Sequence, residues 1–305
     1  MTMKLSEKIA VIADIHSNHF ALEAALNYAK EQKVDEYIFL GDYVSDYSCP
    51  ERTMELLYQI KREAKCTFIR GNREDYLINY HHSLSTDNPI VWLDNSTSGS
   101  LLYTYRNLTK EDIAFFESMP ICKKMEWEGM PSIMVAHGSL TRNNELLQFG
   151  DENTKEVLKN LPTELLLNAH THIQGSFEYM GKRIVNAGAC ANSFGIPKKA
   201  AFVIMHGVDG AWDIEFCQVP YDVKGLWNEM EESGLFETVP GWSRVSLQLA
   251  YTGENLCDSC VKLAMELCKK RTGECNWPKV GEQDWEEAMR ILGVPEFVTL
   301  QNEIC

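Results

Sequence analysis

Seven side chains in this sequence are of types that bind divalent cations, and each sits at the end of a short apolar run. They are Asp14 and His16 in Asp14-Ile15-His16, Asp42 after Gly41, Asn72 after Gly71, His137 before Gly138, and His170 and His172 in His170-Thr171-His172. Only eight histidines occur in the chain, and four of them occupy such positions. Singly, each has an ordinary explanation, because a histidine often caps a strand and Gly-Asp often makes a turn. Together, two Asp, one Asn and four His form a nitrogen and oxygen donor set without thiolate, which suits Mn, Fe, Zn or Ni better than Ca or Mg. Seven donors with one bridging carboxylate complete two ions and leave room for a bridging water. Two carboxylates, two divalent ions and a hydroxide leave one net positive charge, a spot suited to phosphate in an otherwise acidic protein.

Such residues need a scaffold that brings them together. Lys8 to Ala13 reads as a β-branched strand, followed by a helix from His19 to Glu31. Period-two alternation turns Asp14 and His16 to the same side where that strand opens into a loop. Tyr37 to Leu40 and Thr67 to Arg70 repeat the strand, with a helix from Pro50 to Arg62 between them. Repeated βα units imply parallel strands, and ligand crevices in open α/β sheets lie at the strands' carboxyl ends. The stretch 74–120 reads as a helical insert with a polar interruption at Asp94 to Ser100, placed beside the first sheet where it roofs the site. Strand texture then returns at Ile121 to Trp127, Ser132 to Ala136, Leu165 to Asn168, Gly175 to Tyr179, Arg183 to Asn186, Ala201 to His206 and Trp212 to Gln218. The expectation is a second, largely antiparallel sheet. Helical patterns resume at Gly225 to Ser233, Ser243 to Tyr251, Leu256 to Arg271 and Asp284 to Leu292. The chain therefore divides into 1–223 and a mostly helical C-terminal extension, 224–305.

A length of 305 residues with 45% hydrophobic and 24% charged residues is ordinary for a globular chain and excludes collagen-like or disordered composition. With 29 basic against 44 acidic residues the net charge is −15, which disfavours broad contact with duplex nucleic acid. The apolar start is broken by Asp14 and His16 before it reaches membrane-spanning length, so the expected setting is cytoplasmic, with no membrane partner. Ten cysteines without an export signal are expected as reduced thiols. Cys257, Cys260, Cys268 and Cys275 cluster late, and Cys257-Asp-Ser-Cys260 has a spacing used by zinc sites. The competing reading, small buried hydrophobes along one helix stripe, is preferred.

The ordered motifs Asp14-Ile-His16, Gly41-Asp42, Gly71-Asn72-Arg73-Glu74, His137-Gly138 and His170-Thr-His172 resemble the calcineurin-like metallophosphoesterases, over roughly Lys8 to Met205. Ser17-Asn18, Tyr43-Val44 and the stretch from Asn186-Ala-Gly188 to Gly195-Ile-Pro197 resemble the small bacterial and archaeal phosphodiesterase-type branch. The resemblance implies an α/β fold: a four-layer αββα sandwich of two mixed β-sheets flanked by helices. It implies that Asp14, His16 and His172 bind one ion, that Asn72, His137 and His170 bind the other, and that Asp42 bridges them. It also implies hydrolysis of a phosphoester by a hydroxide held between two divalent ions, with Mn ranked first.

One position departs from the family pattern. Many members carry His directly after Gly-Asn, where this chain has Arg73, which donates hydrogen bonds but is a poor proton source. Arg73 is read as a phosphate clamp, or else as a salt-bridge partner of nearby acids. Without a proton donor, phosphodiesters and phosphoanhydrides of nucleotide type are favoured over simple sugar phosphates. His19 either replaces the missing acid or is an exposed first residue of its helix. Asn18 either contacts phosphate or caps that helix, and Arg142 either reaches substrate or is a solvated loop charge. Tyr76, Tyr80, Trp92, Tyr103 and Tyr105 either stack on a base, pack in the core or make a dimer contact. The expected partners are a small phosphorylated, nucleotide-like substrate and, where those aromatics serve a dimer, a homo-oligomer. The competing functional reading is a metal-binding scaffold with weak turnover that acts through partner proteins.

Overall fold

The computed structural model describes residues 8–305. It opens with β1 (Lys8–Ile12), α1 (His19–Glu31), β2 (Glu36–Phe39), α2 (Pro50–Glu63) and β3 (Lys65–Phe68). The insert follows as α3 (Asn72–Ser83), α4 (Gly99–Arg106) and α5 (Lys110–Glu117). Next come β4 (Cys122–Met125), β5 (Ile133–Ala136), α6 (Glu152–Asn160), β6 (Leu165–Asn168), β7 (Gly175–Tyr179), β8 (Lys182–Asn186), β9 (Lys199–Val208) and β10 (Ala211–Pro220). The chain ends in α7 (Val223–Glu232), α8 (Leu235–Thr238), α9 (Pro240–Thr252), α10 (Cys257–Thr272), α11 (Glu282–Leu292) and α12 (Phe297–Ile304).

The strands form two five-stranded sheets, in the orders β10-β9-β1-β2-β3 and β4-β5-β6-β8-β7. Alternation along β1 shows how they stack. Ile9 and Val11 face Ile133, Val135, Leu165 and Leu167 of the other sheet, while Ala10 and Ile12 face Leu22 and Ala25 of α1. In the second sheet Met134 and Leu166 point the other way, onto Leu158 of α6. The layers therefore run helix, sheet, sheet, helix. Leu77 and Ile78 of α3 and Ile113 and Phe116 of α5 pack into the outer apolar layer of the first sheet. No described helix is long and apolar enough to cross a membrane.

Two strand assignments differ from expectation. The segments around Ala201–His206 and Trp212–Gln218 belong to the first sheet, because β9 pairs antiparallel with β1 and β10 with β9. A strand buried on both faces must also satisfy both of its hydrogen-bonding edges, and β9 fills the one that β2 leaves open on β1. The second sheet is mixed rather than largely antiparallel, since β5 pairs parallel with β6 and β6 with β8. Helix α6 supplies the crossover that a parallel β5–β6 pair requires. It is faint in sequence because it buries only Thr154 and Leu158.

The C-terminal helices close over the carboxyl edge of the first sheet. Leu226, Trp227, Met230 and Leu247 pack with Tyr47 and Ala191, and the Tyr47 hydroxyl donates to the Ser246 carbonyl at 2.9 Å. A second apolar cluster, holding Cys260, Cys268, Trp285 and Met289, joins α10 and α11. Cys260 and Cys268 are thus buried hydrophobes within it, whereas Cys257 is half-buried beside the cleft described below.

Beyond β2 and β3 the two chains approach closely. A Cβ on Gly41, at φ +97°, would lie 2.5 Å from the Gly71 amide nitrogen, and a Cβ on Gly71 would run into the backbone and carboxylate of Asp42. Gly71→Ala is therefore expected to lower stability by about 1–3 kcal/mol through overpacking, read as a lower urea midpoint at unchanged slope, and to reduce bound metal. An unchanged midpoint together with full metal content would refute the close approach.

Candidate metal centre

Each predicted ligand lies at a carboxyl strand end or in the loop just beyond it, and the backbone there takes conformations that strands do not. Asp14 (φ 51°), His16 (51°), Asp42 (52°), His170 (67°) and His172 (58°) are all left-handed. Such residues cost about 1–3 kcal/mol each and persist only where the surroundings over-determine them. Because β1 stops at Ile12, Asp14 and His16 converge through these tight turns and not through strand alternation. Amides of Asp14 and His16 donate to the carbonyls of Gly41 and Asp42, both at 3.0 Å, so the first two loops are laced together.

Each carboxylate spends one oxygen on the backbone and keeps one for the centre. Asp14 Oδ2 accepts from the His170 amide at 3.1 Å, and Asp42 Oδ1 from the Arg73 amide at 2.8 Å. The remaining Asp14 Oδ1 has no hydrogen-bond partner among the described residues. It lies 3.4 Å from His172 Nε2 and 3.8 Å from the Nε2 atoms of His16 and His137. Asp42 Oδ2 lies 3.5 Å from His137 Nε2 and 4.0 Å from His16 Nε2, between the two groups.

The imidazoles are anchored from behind. His137 Nδ1 sits 2.6 Å from the Leu40 carbonyl, His172 Nδ1 2.9 Å from that of Asn192, and His16 Nδ1 3.1 Å from Asp46 Oδ2. These partners are acceptors, so the neutral rings carry their proton on Nδ1 and present a lone pair at Nε2. Asn72 Oδ1 adds another acceptor 3.1 Å from His137 Nε2. The centre is therefore crowded with lone pairs when those rings are neutral. A cation resolves that crowding, and the residues fit divalent metal in two groups: Asp14, His16 and His172, and Asp42, His137 and His170.

Protons compete for the same atoms. Burial disfavours a charged His137, but Asp42 and Asp14 outweigh it and raise its pKa to about 9. His170, desolvated and beside His137, falls to about 4. Burial would raise Asp42, yet His137, His16 and Arg73 hold it well below the usual carboxylate range.

Two acids complete the support: Glu74, named by its motif as a possible partner of Arg73, and Asp46, which the sequence does not single out. Glu74 is fully buried and accepts from the amides of Asp42, Tyr43 and Gly71 at 2.8–2.9 Å, tying the second loop to the third. Asp46 is also buried; it takes His16 Nδ1, Arg73 Nη2 at 3.4 Å and the Trp242 indole N–H at 3.0 Å. Arg73 and His16 overcome the burial of Asp46 and keep it ionised. Sequence offered one hint of Asp46, its place four residues after a ligand in a polar loop; Trp242, about two hundred positions away, offered none.

The other expected contacts separate. Arg73 lines the metal cleft, and its pKa is raised because Asp46 and Asp42 outweigh its burial. His19 is buried, not an exposed helix start; its Nε2 lies 2.8 Å from Glu229 Oε2, a partner from α7 that covers it. Asn18 is buried and caps α1, its Oδ1 accepting from the Ala21 amide at 3.0 Å. Arg142 is exposed and paired with Glu145, beside a separate hollow that shares Asn72 with the centre. His81 and His82 are engaged by Tyr105 and Glu117. Asp46→Asn, which removes the charge behind His16 while keeping its shape, should cost about 10–100-fold in metal affinity or activity. Competition of metal-loaded protein against a chelator measures this, and an unchanged affinity and rate would show that the Asp46–His16 contact orients nothing.

Comparison with known proteins agrees with this geometry. A family model described as calcineurin-like phosphoesterase matches residues 7–174. An uncharacterized protein of Methanocaldococcus jannaschii is 25% identical over 244 residues, covering 75% of this chain and 94% of the relative. A metallophosphoesterase of Sphaerobacter thermophilus shares the fold at TM-score 0.63 and 23% identity, over 82% of this chain and all of that one. A hypothetical protein of Pyrococcus horikoshii does so at TM-score 0.66 and 21% identity, over 81% of this chain and 99% of that one. Since the family match spans more than half of the chain and includes every residue that crowds the centre, this protein belongs to the calcineurin-like phosphoesterases and is a metal-dependent phosphoesterase.

Proposed function

We propose that the protein hydrolyses phosphodiesters or phosphoanhydrides of nucleotide type and that two divalent ions, manganese first among them, serve the reaction. One observation carries the reading: Asp42 Oδ2 stands between two groups of ligand atoms, within 4.0 Å of His16 Nε2 and 3.5 Å of His137 Nε2. In this reading Asp14, His16 and His172 hold one ion, Asn72, His137 and His170 the other, and Asp42 both. The ions, when bound, supply Lewis-acid charge and make water a nucleophile near neutral pH.

The chain's own residues do the rest. Leu40, Asn192 and Asp46 fix the ring orientations, so the ligand atoms need little reorganisation as charge develops. Arg73 is the only arginine or lysine among the described residues lining the cleft. Asp46 occupies one of its nitrogens and aims the fork; the remaining donors serve a phosphoryl oxygen. As the oxygen of water bonds to phosphorus, the bond to the leaving oxygen breaks. Arg73 cannot hand that oxygen a proton, because its acids hold the guanidinium charged. Leaving groups that depart as stable anions, such as the phosphate of an anhydride or an aryl oxide, are thus favoured over alkoxides.

Metal analysis of the manganese-reconstituted protein should give two equivalents, and Asp42→Asn should lower both metal content and kcat, the latter by about a thousandfold. One equivalent in the native protein, or two with no hydrolysis of any ester or anhydride, would overturn the reading; the second outcome would favour the scaffold alternative. Arg73→His introduces a group able to donate a proton, worth about 10²–10⁴-fold where the leaving group needs one. It should raise kcat/KM for alkyl esters relative to 4-nitrophenyl esters, and an unchanged ratio would show that proton supply does not limit the wild type.

A further inference from the structure

A second hollow, about 420 Å³, opens beside the metal cleft. Arg73 and Trp242 line both spaces, so the two adjoin. The hollow's aromatic lining comes from Tyr76 and Trp92 of the insert and from Trp242 and Trp277 of the C-terminal extension. Trp92 is backed by Tyr80, stacked at 4.0 Å and 3°, and Tyr80 itself does not reach the hollow. Trp242 is pinned by its N–H on Asp46 and stands edge-on to Trp285. Trp92 and Trp242 are thus held in place, while Tyr76 and Trp277 are partly open to solvent; Trp242 and Trp277 lie outside the segment matched by the family model.

The chemistry of the lining narrows what can sit there. Arg73, shared with the metal cleft, is the only charged residue among the described residues that line the hollow, so an anion belongs on the Arg73 side and an uncharged group in the rest. Its volume falls within the range of small-molecule sites and exceeds what a short alkyl group fills. Asn79 and Ser100 line it and make no side-chain hydrogen bond to described residues, which leaves donors and acceptors for the polar edge of a planar ring. Aromatic walls with free edge groups and a cation at the phosphate end match a nucleobase.

We infer that this hollow is a nucleobase subsite, which holds the base of a nucleoside phosphoester while its phosphorus lies at the metal centre beside Arg73. The inference rests on the phosphoesterase reading above and adds the residues that select the substrate. It assigns to the insert and the C-terminal extension the recognition that the ligand motifs do not provide.

The test compares thymidine 5′-(4-nitrophenyl) phosphate with methyl 4-nitrophenyl phosphate on the full chain loaded with manganese. In both, water adds to phosphorus and 4-nitrophenolate departs, so only the retained group differs. The thymidine ester should be preferred by tenfold or more in kcat/KM. Trp92→Ala and Trp277→Ala should each remove most of that preference through KM, by about tenfold, and leave the methyl ester unchanged, while Trp92→Phe should retain it. Thymidine alone, which carries no phosphate, should quench tryptophan fluorescence in wild type and less so in Trp92→Ala.

Equal loss on both esters would place the nitrophenyl ring in the hollow and overturn the nucleobase assignment. So would a hexyl 4-nitrophenyl ester accepted as well as the thymidine ester, which would make the hollow a general apolar slot. Hydrolysis of both esters with no effect of either alanine variant would also refute the subsite. If no ester is hydrolysed, the phosphoesterase reading fails, and thymidine quenching that is absent or insensitive to Trp92 then overturns the subsite independently.

Discussion

The governing constraint is the convergence of nitrogen and oxygen donor atoms from separate loops on one small region. Asp14 Oδ1, Asp42 Oδ2, Asn72 Oδ1 and the Nε2 atoms of His16, His137 and His172 all aim into one small region. Such a concentration of ligand atoms in a buried site is held because most of them are anchored from behind. Carbonyls take the Nδ1 protons of His137 and His172, amides take the outer oxygens of Asp14 and Asp42, and Glu74 binds the amides of the loops that carry them. The left-handed turns and the bare glycines follow from the same need, because only tight turns in near contact bring ligands from separate strands this close.

Behind this centre the charges are arranged in a chain. Asp46 touches the imidazole of His16, a candidate ligand, the cleft's guanidinium and an indole from α9. Its negative charge and the positive charge of Arg73 offset one another, so the pair would leave the charge of the proposed ions and their carboxylates unaltered. Arg73 is thereby confined to donating hydrogen bonds. The same contact ties the C-terminal helices to the site: Trp242 is at once a wall of the cleft and the partner of the acid behind His16.

That linkage separates two tasks along the chain. The segment matched by the family model carries the ligands, the two glycines and Glu74. Residues beyond it, with those of the insert, line the hollow beside the cleft. Helices α7 to α12 are held on by apolar packing around Trp227, Leu247 and Tyr47 and by the pairing of His19 with Glu229. Covering His19 in this way turns a helix-start residue that reads as exposed into a buried structural contact.

Much of the molecule was legible in the residues alone, for a definable reason. Hydrophobic periodicity and cap chemistry act over a few positions, so β6, β7 and α1 stand where the pattern places them, and the ligand types follow apolar strands in an order that belongs to one family. What only tertiary structure decided was decided at long range. β9 joins β1 rather than the second sheet because β1 had an edge to satisfy, and α6 is real despite a weak apolar stripe because a parallel pair needs a crossover. Asp46 became part of the centre through a partner 196 positions away, and His19 was buried by one 210 positions away. Local sequence carries no trace of such partners, since their contacts arise from free energy shared across the whole packed chain and not from the propensities of either segment.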